Sequence, residues 1–342
     1  MRETKSGLYQ LEIELTDRCN MNCSHCYMGH QRKNIDIDSE LVYRILREAH
    51  ELDVSDIIFS GGEPLLNKDV YQFAAFVKKN QLNLSVGLLT NGLLLRDSFD
   101  DGQLTLFDFV QFSLDFPFGG TGFHHNNFFK TMELACRVKQ AGIYVSFLAT
   151  IDRTNYQFIE KLAEAVMPFE MQLGFNYLCP QGNASQLQDR ALSSEQLMES
   201  FRAIYRLKQK YNKEYDLINS GNPLQVLAEE EKQKAAAGQT RIIGGCTAGI
   251  TTMTLDVEGN VLACPFLRVS EDNITHHSLR DIWYHSQMFA RLRDRKNLKG
   301  KCKICQYKYI CGGCRTSAYL SKNDWLDEDP NCFLEAQHGF TS

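Results

Sequence analysis

A chain of 342 residues can bury a large core and can hold one large domain with a smaller one beside it. Its net charge of −5 argues against non-specific binding to nucleic acid or to an anionic membrane surface. No apolar run approaches a membrane span and residues 1–7 carry no apolar signal core, so the expected location is the cytoplasm.

In chain order, Leu8–Leu15 alternates apolar and polar residues and predicts a first strand. A loop carrying Cys19, Cys23 and Cys26 follows, with the spacing C-x3-C-x2-C. Asp38-Ser39 predicts a cap for a helix with Leu41, Val42, Ile45, Leu46 and Ala49 on one face. Strand Val54–Ser60 then runs directly into Gly61-Gly62-Glu63-Pro64. Helix Lys68–Lys79, strand Leu82–Thr90 and a short irregular or helical piece come next. Strand Phe107–Leu114, helix Asn127–Gln140, strand Ile143–Ile151, helix Asn155–Met167 and strand Met171–Leu178 complete the series. Six such units in a row predict an α/β fold with a parallel sheet and helices outside it. Six are too few for a closed eight-stranded barrel, so the expectation is a partial, open (β/α)6 barrel over residues 1–183.

The chemistry-bearing residues gather at the C-terminal ends of these strands. They are the cysteine loop after strand 1, Gly61–Pro64 after strand 2 and Thr90-Asn91-Gly92 after strand 3. Ser113 and Asp115 end strand 4, Thr150 ends strand 5, and Tyr177 and Cys179 end strand 6. Parallel α/β barrels build their active sites at that face.

Residues 184–243 are polar and helix-prone, with a partial apolar face from Phe201, Ile204, Tyr205 and Leu207, and read as a helical connector. Within it, Glu229-Glu230-Glu231-Lys232 reads as solvated surface. From residue 244 to 342 the composition turns cysteine-rich: Cys246 and Cys264 precede Cys302-x2-Cys305-x5-Cys311-x2-Cys314, and Cys332 follows. This stretch predicts a small C-terminal cluster-binding domain. Twelve cysteines in a chain without an export signal point to metal or cluster ligation rather than disulfides. Ten fall into these patterned groups; Cys136 sits in a helical pattern and reads as a small buried hydrophobe, and Cys179 is left over.

Three cysteines are one short of a closed four-ligand site, which leaves a metal position for something other than protein. A zinc knuckle completed by His25 is the alternative reading. With Gly61-Gly62-Glu63-Pro64 placed directly after the second strand, the triplet resembles the radical S-adenosylmethionine (radical SAM) enzymes. The resemblance implies that Cys19, Cys23 and Cys26 hold a [4Fe-4S] cluster whose fourth iron chelates SAM. It implies reductive cleavage of SAM to a 5′-deoxyadenosyl radical that abstracts hydrogen from a substrate. His25 occupies the position that packs on adenine in that family. Glu63 matches the residue that receives the SAM ammonium, with Gly61 and Gly62 permitting close backbone approach and Pro64 fixing the turn. Ser113 and Asp115 match positions that contact the ribose or amino acid part of SAM. Many relatives carry an arginine soon after strand 4, whereas Phe123-His124-His125-Asn126-Asn127 has none. The SAM carboxylate partner is therefore open, with Arg153 as a substitute.

The C-terminal cysteines resemble the SPASM extension found in many radical SAM enzymes, so the resemblance covers about residues 8–178 and 244–335. It implies one auxiliary [4Fe-4S] cluster on Cys302, Cys305, Cys311 and Cys332, and a second, nearer the barrel, on Cys246, Cys264 and Cys314. Three clusters are then expected in all; paired structural zinc sites are the alternative. The inner cluster either has an open iron or takes a fourth ligand from elsewhere, for which Cys179 is the obvious candidate. Pro265 follows Cys264 where sulfatase-maturating members have a candidate basic Asp, which counts against formylglycine formation.

A basic run of Arg291, Arg293, Arg295, Lys296, Lys299, Lys301 and Lys303 lies beside the outer group. It would favour cluster reduction or dock an acidic flavodoxin or ferredoxin as electron donor. Many SPASM relatives mature ribosomally made peptides, so a peptide undergoing crosslinking, epimerisation or oxidation is the first substrate expected. The first strand begins by about Leu8, so either a separate leader-peptide-binding protein recognises the leader or the substrate is not a peptide. The alternative substrate is a tetrapyrrole or other small molecule, because the Cys-Gly-Gly-Cys-Arg ending also resembles haem-pathway members. A non-catalytic iron–sulfur or zinc scaffold is a third reading. No general base stands out, and no catalytic residue is assigned.

Overall fold

All six predicted strands form within a few residues of their expected bounds. They are β1 (Gln10–Thr16), β2 (Asp56–Gly61), β3 (Ser85–Thr90), β4 (Phe109–Ser113), β5 (Tyr144–Ile151) and β6 (Gln172–Tyr177). A computed structural model describes residues 6–29, 32–97, 101–116, 128–220 and 245–332. The stretches Phe123–Asn127 and Glu229–Lys232 lie outside the described residues. β1 to β6 pair in parallel and in sequence order, each with the next. Between them run helices Ser39–Glu51, Val70–Lys79, Phe128–Gln140 and Ile159–Val166. The first starts as expected: Asp38 Oδ1 accepts the Leu41 N–H at 2.8 Å, and Val42, Ile45, Leu46 and Ala49 are buried.

The sheet is wider than six strands. Its order is β10-β9-β8-β1-β2-β3-β4-β5-β6-β7, so it is open, with β10 and β7 at its edges. β7 (Ile218–Ser220) lies inside the stretch expected to be wholly helical and pairs in parallel with β6. It follows helix Ser194–Tyr211, which opens with a capping box between Ser193 and Gln196. β8 (Thr252–Leu255) comes from the cysteine-rich part and pairs in parallel with β1. β9 (Asn260–Leu262) and β10 (Asp272–Asn273) continue the sheet antiparallel. Strands of three or four residues are too short to show a period, so a purely local reading passes over them.

Pairing of β8 with β1 welds the C-terminal part to the barrel. The weld is reinforced where Glu48 Oε2 accepts the Leu279 N–H at 2.6 Å and Trp283 Nε1 donates to the Ser6 carbonyl at 2.9 Å. One hydrophobic core runs through both parts, from Leu11 and Phe59 to Trp283 and Phe289. In β1 the alternation separates Leu11, Ile13 and Leu15 from Glu12 and Glu14, and all five are buried. Among the described residues, no helix is long and apolar enough to cross a membrane.

Candidate active site

The cysteine loop is fastened at its base before the first cysteine is reached. Asp17 accepts the backbone N–H of Lys33 at 2.5 Å and of Ile35 at 2.7 Å. Arg18 pairs with Asp36 at 2.6 Å and donates to the Leu66 carbonyl at 2.8 Å. Inside the loop the Cys26 N–H reaches the Cys23 carbonyl at 3.2 Å. From the far side of the barrel, Asn183 donates its backbone N–H to the Cys26 carbonyl and its side-chain amide to the Cys23 carbonyl, both at 2.9 Å. The loop is thus held at both ends by ordered polar contacts.

The Gly-Gly-Glu-Pro turn lies directly against that base. Gly62 N–H donates to the Thr16 carbonyl at 2.7 Å and Glu63 N–H to the Arg18 carbonyl at 2.8 Å. A Cβ on Gly61 would stand 2.2 Å from the Thr16 carbonyl oxygen, and one on Gly62 would stand 2.1 Å from that of Arg18. Only glycine permits this approach. Pro64 is buried and opens a single 3-10 turn, Pro64–Leu66.

Glu63 is 1% exposed. Its carboxyl accepts the Thr90 hydroxyl at 2.8 Å, the Asn91 N–H at 2.9 Å and the Leu65 N–H at 3.3 Å. Burial pushes it up to about 7, against the lowering effect of these three donors. The carboxyl therefore stitches the turn to the end of β3, behind the cavity surface. A carboxylate offers about four acceptor sites, so capacity for a further donor remains.

A cavity of about 200 Å³ opens at the C-terminal ends of the strands. Its wall includes Cys19, Cys23, Cys26, His25, Gly61, Gly62 and Ser113, which are seven of the residues expected from sequence. Glu63, Pro64 and Asp115 are not on that wall. Asp115 is buried and accepts the Thr150 N–H at 2.8 Å, so it braces β4 against β5. Arg153 is exposed and also off the wall.

Two charged wall residues, Arg32 and Glu12, escaped the sequence reading. Among the described residues lining the cavity, Arg32 is the single arginine or lysine and Glu12 the single acid. Arg32 Nη2 lies 3.5 Å from Cys26 Sγ and Nη1 donates to the Met21 carbonyl at 3.2 Å. Its buried Nε has no hydrogen-bond partner among the described residues. Nothing in the pattern around Arg32 marks it, because it sits in an irregular loop. Glu12 accepts the Ser60 hydroxyl at 2.6 Å, and burial raises its pKa. Its polar position in the β1 alternation was legible, but that such a face lines a lumen rather than solvent was not. Tyr177, which the sequence places at this face, presents a buried hydroxyl with no hydrogen-bond partner among the described residues, and burial raises its pKa well beyond the ordinary phenol range.

Among the described residues none of the twelve cysteines is joined in a disulfide. In the outer group, Cys302 and Cys311 are buried. Backbone N–H groups point at sulfur: Tyr307 at Cys305 and Gly313 at Cys311, each at 3.4 Å. In the inner group, the Ser317 N–H meets Cys314 Sγ at 3.5 Å, and the Cys246 N–H donates to the Cys311 carbonyl at 3.0 Å. The charges of Cys246, Cys264 and Cys314 act on one another, and burial with this proximity pushes Cys264 up to about 12. Among the described residues, no three Cys, His, Asp or Glu side chains are drawn tightly enough to hold a single metal ion. A four-iron cluster spans more space than one ion with metal–sulfur bonds of about 2.3 Å.

Two buried guanidiniums lie among these thiols. Arg315 is 1% exposed, with Nη2 3.7 Å from Cys302 Sγ and the rest of its fork on the carbonyls of Gly313, Trp325 and Asp327. Arg295 is buried, donates to the Cys246 carbonyl at 2.9 Å and interacts with Cys246, Cys311 and Cys302. Buried cations among soft thiols, with N–H groups aimed at sulfur, fit an anionic iron–sulfur group.

The basic run is largely spoken for. Arg291 pairs with Glu271, Lys299 with Asp324 at 2.5 Å, and Arg293 stacks 4.1 Å from the Trp283 ring centroid. Beside it two apolar side chains stand in solvent, Ile304 at 73% and Tyr309 at 63% exposure.

Residues 13–118 match the family model of the Radical SAM superfamily, and residues 246–306 match that of SPASM, an iron-sulfur cluster-binding domain. The chain is 27% identical over 338 residues to an AdoMet-dependent heme synthase of Methanosarcina barkeri, covering 93% of this chain and 94% of that protein. A protein of the same name from Nitratidesulfovibrio vulgaris is 23% identical over 93% of this chain and 90% of its own length. Among solved structures, Streptococcus suis SuiB bound to S-adenosylmethionine superposes with a TM-score of 0.73 at 19% identity, over 95% of this chain and 77% of that one. The enzyme anSMEcpe with bound AdoMet gives 0.69 at 16% identity, over 94% and 89%. The structural likenesses show a shared fold.

Proposed function

We propose that this chain, a radical SAM enzyme carrying a SPASM domain, abstracts hydrogen from a tetrapyrrole substrate, with Cys19, Cys23 and Cys26 holding its SAM-binding cluster. When bound, that cluster and SAM supply a reductive carbon–sulfur cleavage and a radical able to take a hydrogen atom. The residues of the chain position and insulate. The Gly61-Gly62 backbone comes close enough to the loop base to leave room for a ligand at the thiols. Arg32 offers a guanidinium to a carboxylate beside Cys26, the role for which sequence offered Arg153. Glu63 keeps acceptor capacity for an ammonium. Met21, Tyr27, Met28 and Phe266 wall the cavity with apolar surface and exclude water. Glu12 can hold or release a proton deep in the lumen, its pKa raised by burial.

The two auxiliary groups, Cys302, Cys305, Cys311 and Cys332 and Cys246, Cys264 and Cys314, bring the complement to three [4Fe-4S] clusters. Electrons arrive from a flavodoxin or ferredoxin at the face around Ile304 and Tyr309, where Lys303 and Lys308 lie alongside.

The observation that favours a tetrapyrrole is alignment from end to end with proteins named heme synthases. A second reading, a ribosomally made peptide with or without a separate leader-binding protein, is favoured by the likeness to SuiB bound to its precursor peptide SuiA, at a TM-score of 0.75 and 16% identity. The two separate in one assay. Reconstituted enzyme is mixed under dithionite with SAM and either an iron porphyrin bearing propionate side chains or a precursor peptide. Formation of 5′-deoxyadenosine above the substrate-free rate, with a mass loss on the porphyrin, supports the first reading. Stimulation by the peptide alone moves the assignment to the second.

A further inference from the structure

We propose that Cys179, at the end of β6, is the fourth thiol of the inner group, so that Cys179, Cys246, Cys264 and Cys314 ligate one complete cluster across the seam between barrel and C-terminal module. The proposal deepens the reading above and rests on the inner group holding a [4Fe-4S] cluster. A cluster of that type takes four ligands. The C-terminal module offers the inner group three thiols once Cys302, Cys305, Cys311 and Cys332 are assigned to the outer one.

Position singles out Cys179. The end of β6 is pinned to the C-terminal module on both sides of it. Two residues before, Tyr177 packs against a small buried cluster of Leu197, Phe201 and Cys311, which Tyr307 and Cys332 of the C-terminal module also cover. Two residues after, Gln181 Nε2 donates to the carbonyl of Phe266, itself two residues past Cys264. Cys179 shares the cavity wall with Phe266. Its sulfur lies within charge-interaction range of both Cys264 and Cys314, which in turn interact with Cys246. The bland alternative is a cavity-wall residue that happens to be cysteine, as Cys136 is a helix residue that happens to be one. Among the described residues no thiol charge acts on Cys136; the charge acting on it is that of Lys139. Cys179 instead sits where thiols from two parts of the fold converge.

The consequence is chemical. A cluster saturated by four thiolates has no iron free to bind a substrate carboxylate or thiolate directly. It would still place one ligand on the wall of the reaction cavity, so the inner cluster would serve electron transfer rather than substrate binding.

The test maps alkylation of wild-type thiols by iodoacetamide and mass spectrometry, in the apoprotein and in the anaerobically reconstituted protein. Cys179 is expected to label in the apoprotein and to lose labelling on reconstitution together with Cys246, Cys264 and Cys314, while Cys136 labels equally in both. A second measurement uses the Cys19→Ala/Cys23→Ala/Cys26→Ala variant, which keeps only the auxiliary clusters. Mild ferricyanide oxidation should leave it without a [3Fe-4S] EPR signal, and adding Cys179→Ala or Cys179→Ser should create that signal. Equal labelling of Cys179 before and after iron uptake, or a [3Fe-4S] signal already present in the triple variant, overturns the proposal and leaves the three-cluster reading intact. Failure of the inner group to gain iron in wild-type protein overturns both.

Discussion

Replacing Gly62 with alanine probes the closest approach in the site. The added Cβ would stand 2.1 Å from the Arg18 carbonyl oxygen, 2.6 Å from its carbon and 2.9 Å from the Asp17 carbonyl oxygen, all backbone atoms that cannot swing aside. Retreat to a tolerable 3 Å needs a shift of about 0.9 Å at the first contact, which stretches the 2.8 Å bond from Glu63 N–H to the Arg18 carbonyl out of range. The 2.7 Å bond from Gly62 N–H to the Thr16 carbonyl goes with it. Losing two short backbone bonds and leaving a buried donor unmet costs roughly 2–4 kcal/mol. Urea unfolding of the apoprotein reads the stability, and equilibrium dialysis of reconstituted protein reads SAM affinity, expected to fall tenfold or more. Gly142→Ala is the control: its φ is +83°, so the backbone is strained by any side chain, but a Cβ there meets nothing within 4 Å. It should cost only the backbone penalty of about 1–2 kcal/mol and leave SAM affinity unchanged. If Gly62→Ala matches or undercuts Gly142→Ala in both readouts, the close-approach argument is wrong.

Tyr177→Phe removes a buried hydroxyl with no partner among the described residues and should raise apoprotein stability by about 1 kcal/mol in urea unfolding; a loss of that size would mean the hydroxyl is satisfied. Arg315→Ala strips three carbonyls of a charged donor and should cost about 3 kcal/mol, with little rescue by Arg315→Lys because an ammonium cannot span the same fork. Rescue by lysine to near wild type would reduce Arg315 to a simple charge. Glu14 is fully buried, and burial outweighs its 2.5 Å pairing with Arg268 to hold its carboxyl up at about 7, above the ordinary 4.5. Between those values the unfolded chain gives up the proton that the folded chain keeps. Its contribution is therefore fully present below pH 4.5 and is lost as pH rises through about 7. Glu14→Gln should flatten that decline in stability measured across pH 4.5–8, and an unchanged slope would assign the decline to other groups.

The fold was legible where the chain is periodic. Alternation in β1 and the i, i+3, i+4 spacing after Asp38 locate strand and helix because burial imposes those periods. β7 and β8 were not legible, since strands of three or four residues are fixed by the neighbours they pair with rather than by their own pattern. The site divides the same way. Cys19, Cys23, Cys26, Gly61 and Gly62 announce themselves by spacing, because ligands and tight turns must come from fixed local geometry. Glu63 and Asp115 were legible as residues of this face, but the N–H and hydroxyl donors their carboxyls serve lie at the ends of neighbouring strands and could not be read from the motif. Arg32 and Glu12 reach the cavity through tertiary folding alone, so no motif records them.

At the centre stands the proposal that three groups of thiols hold iron–sulfur clusters and that the one on Cys19, Cys23 and Cys26 drives SAM cleavage. Anaerobic reconstitution with iron and sulfide counted per chain, followed by a dithionite-driven SAM cleavage assay, tests it most directly. The account predicts about twelve irons with matching sulfide, and 5′-deoxyadenosine formation abolished by Cys23→Ala. About two zincs per chain, no sulfide and no cleavage would contradict it.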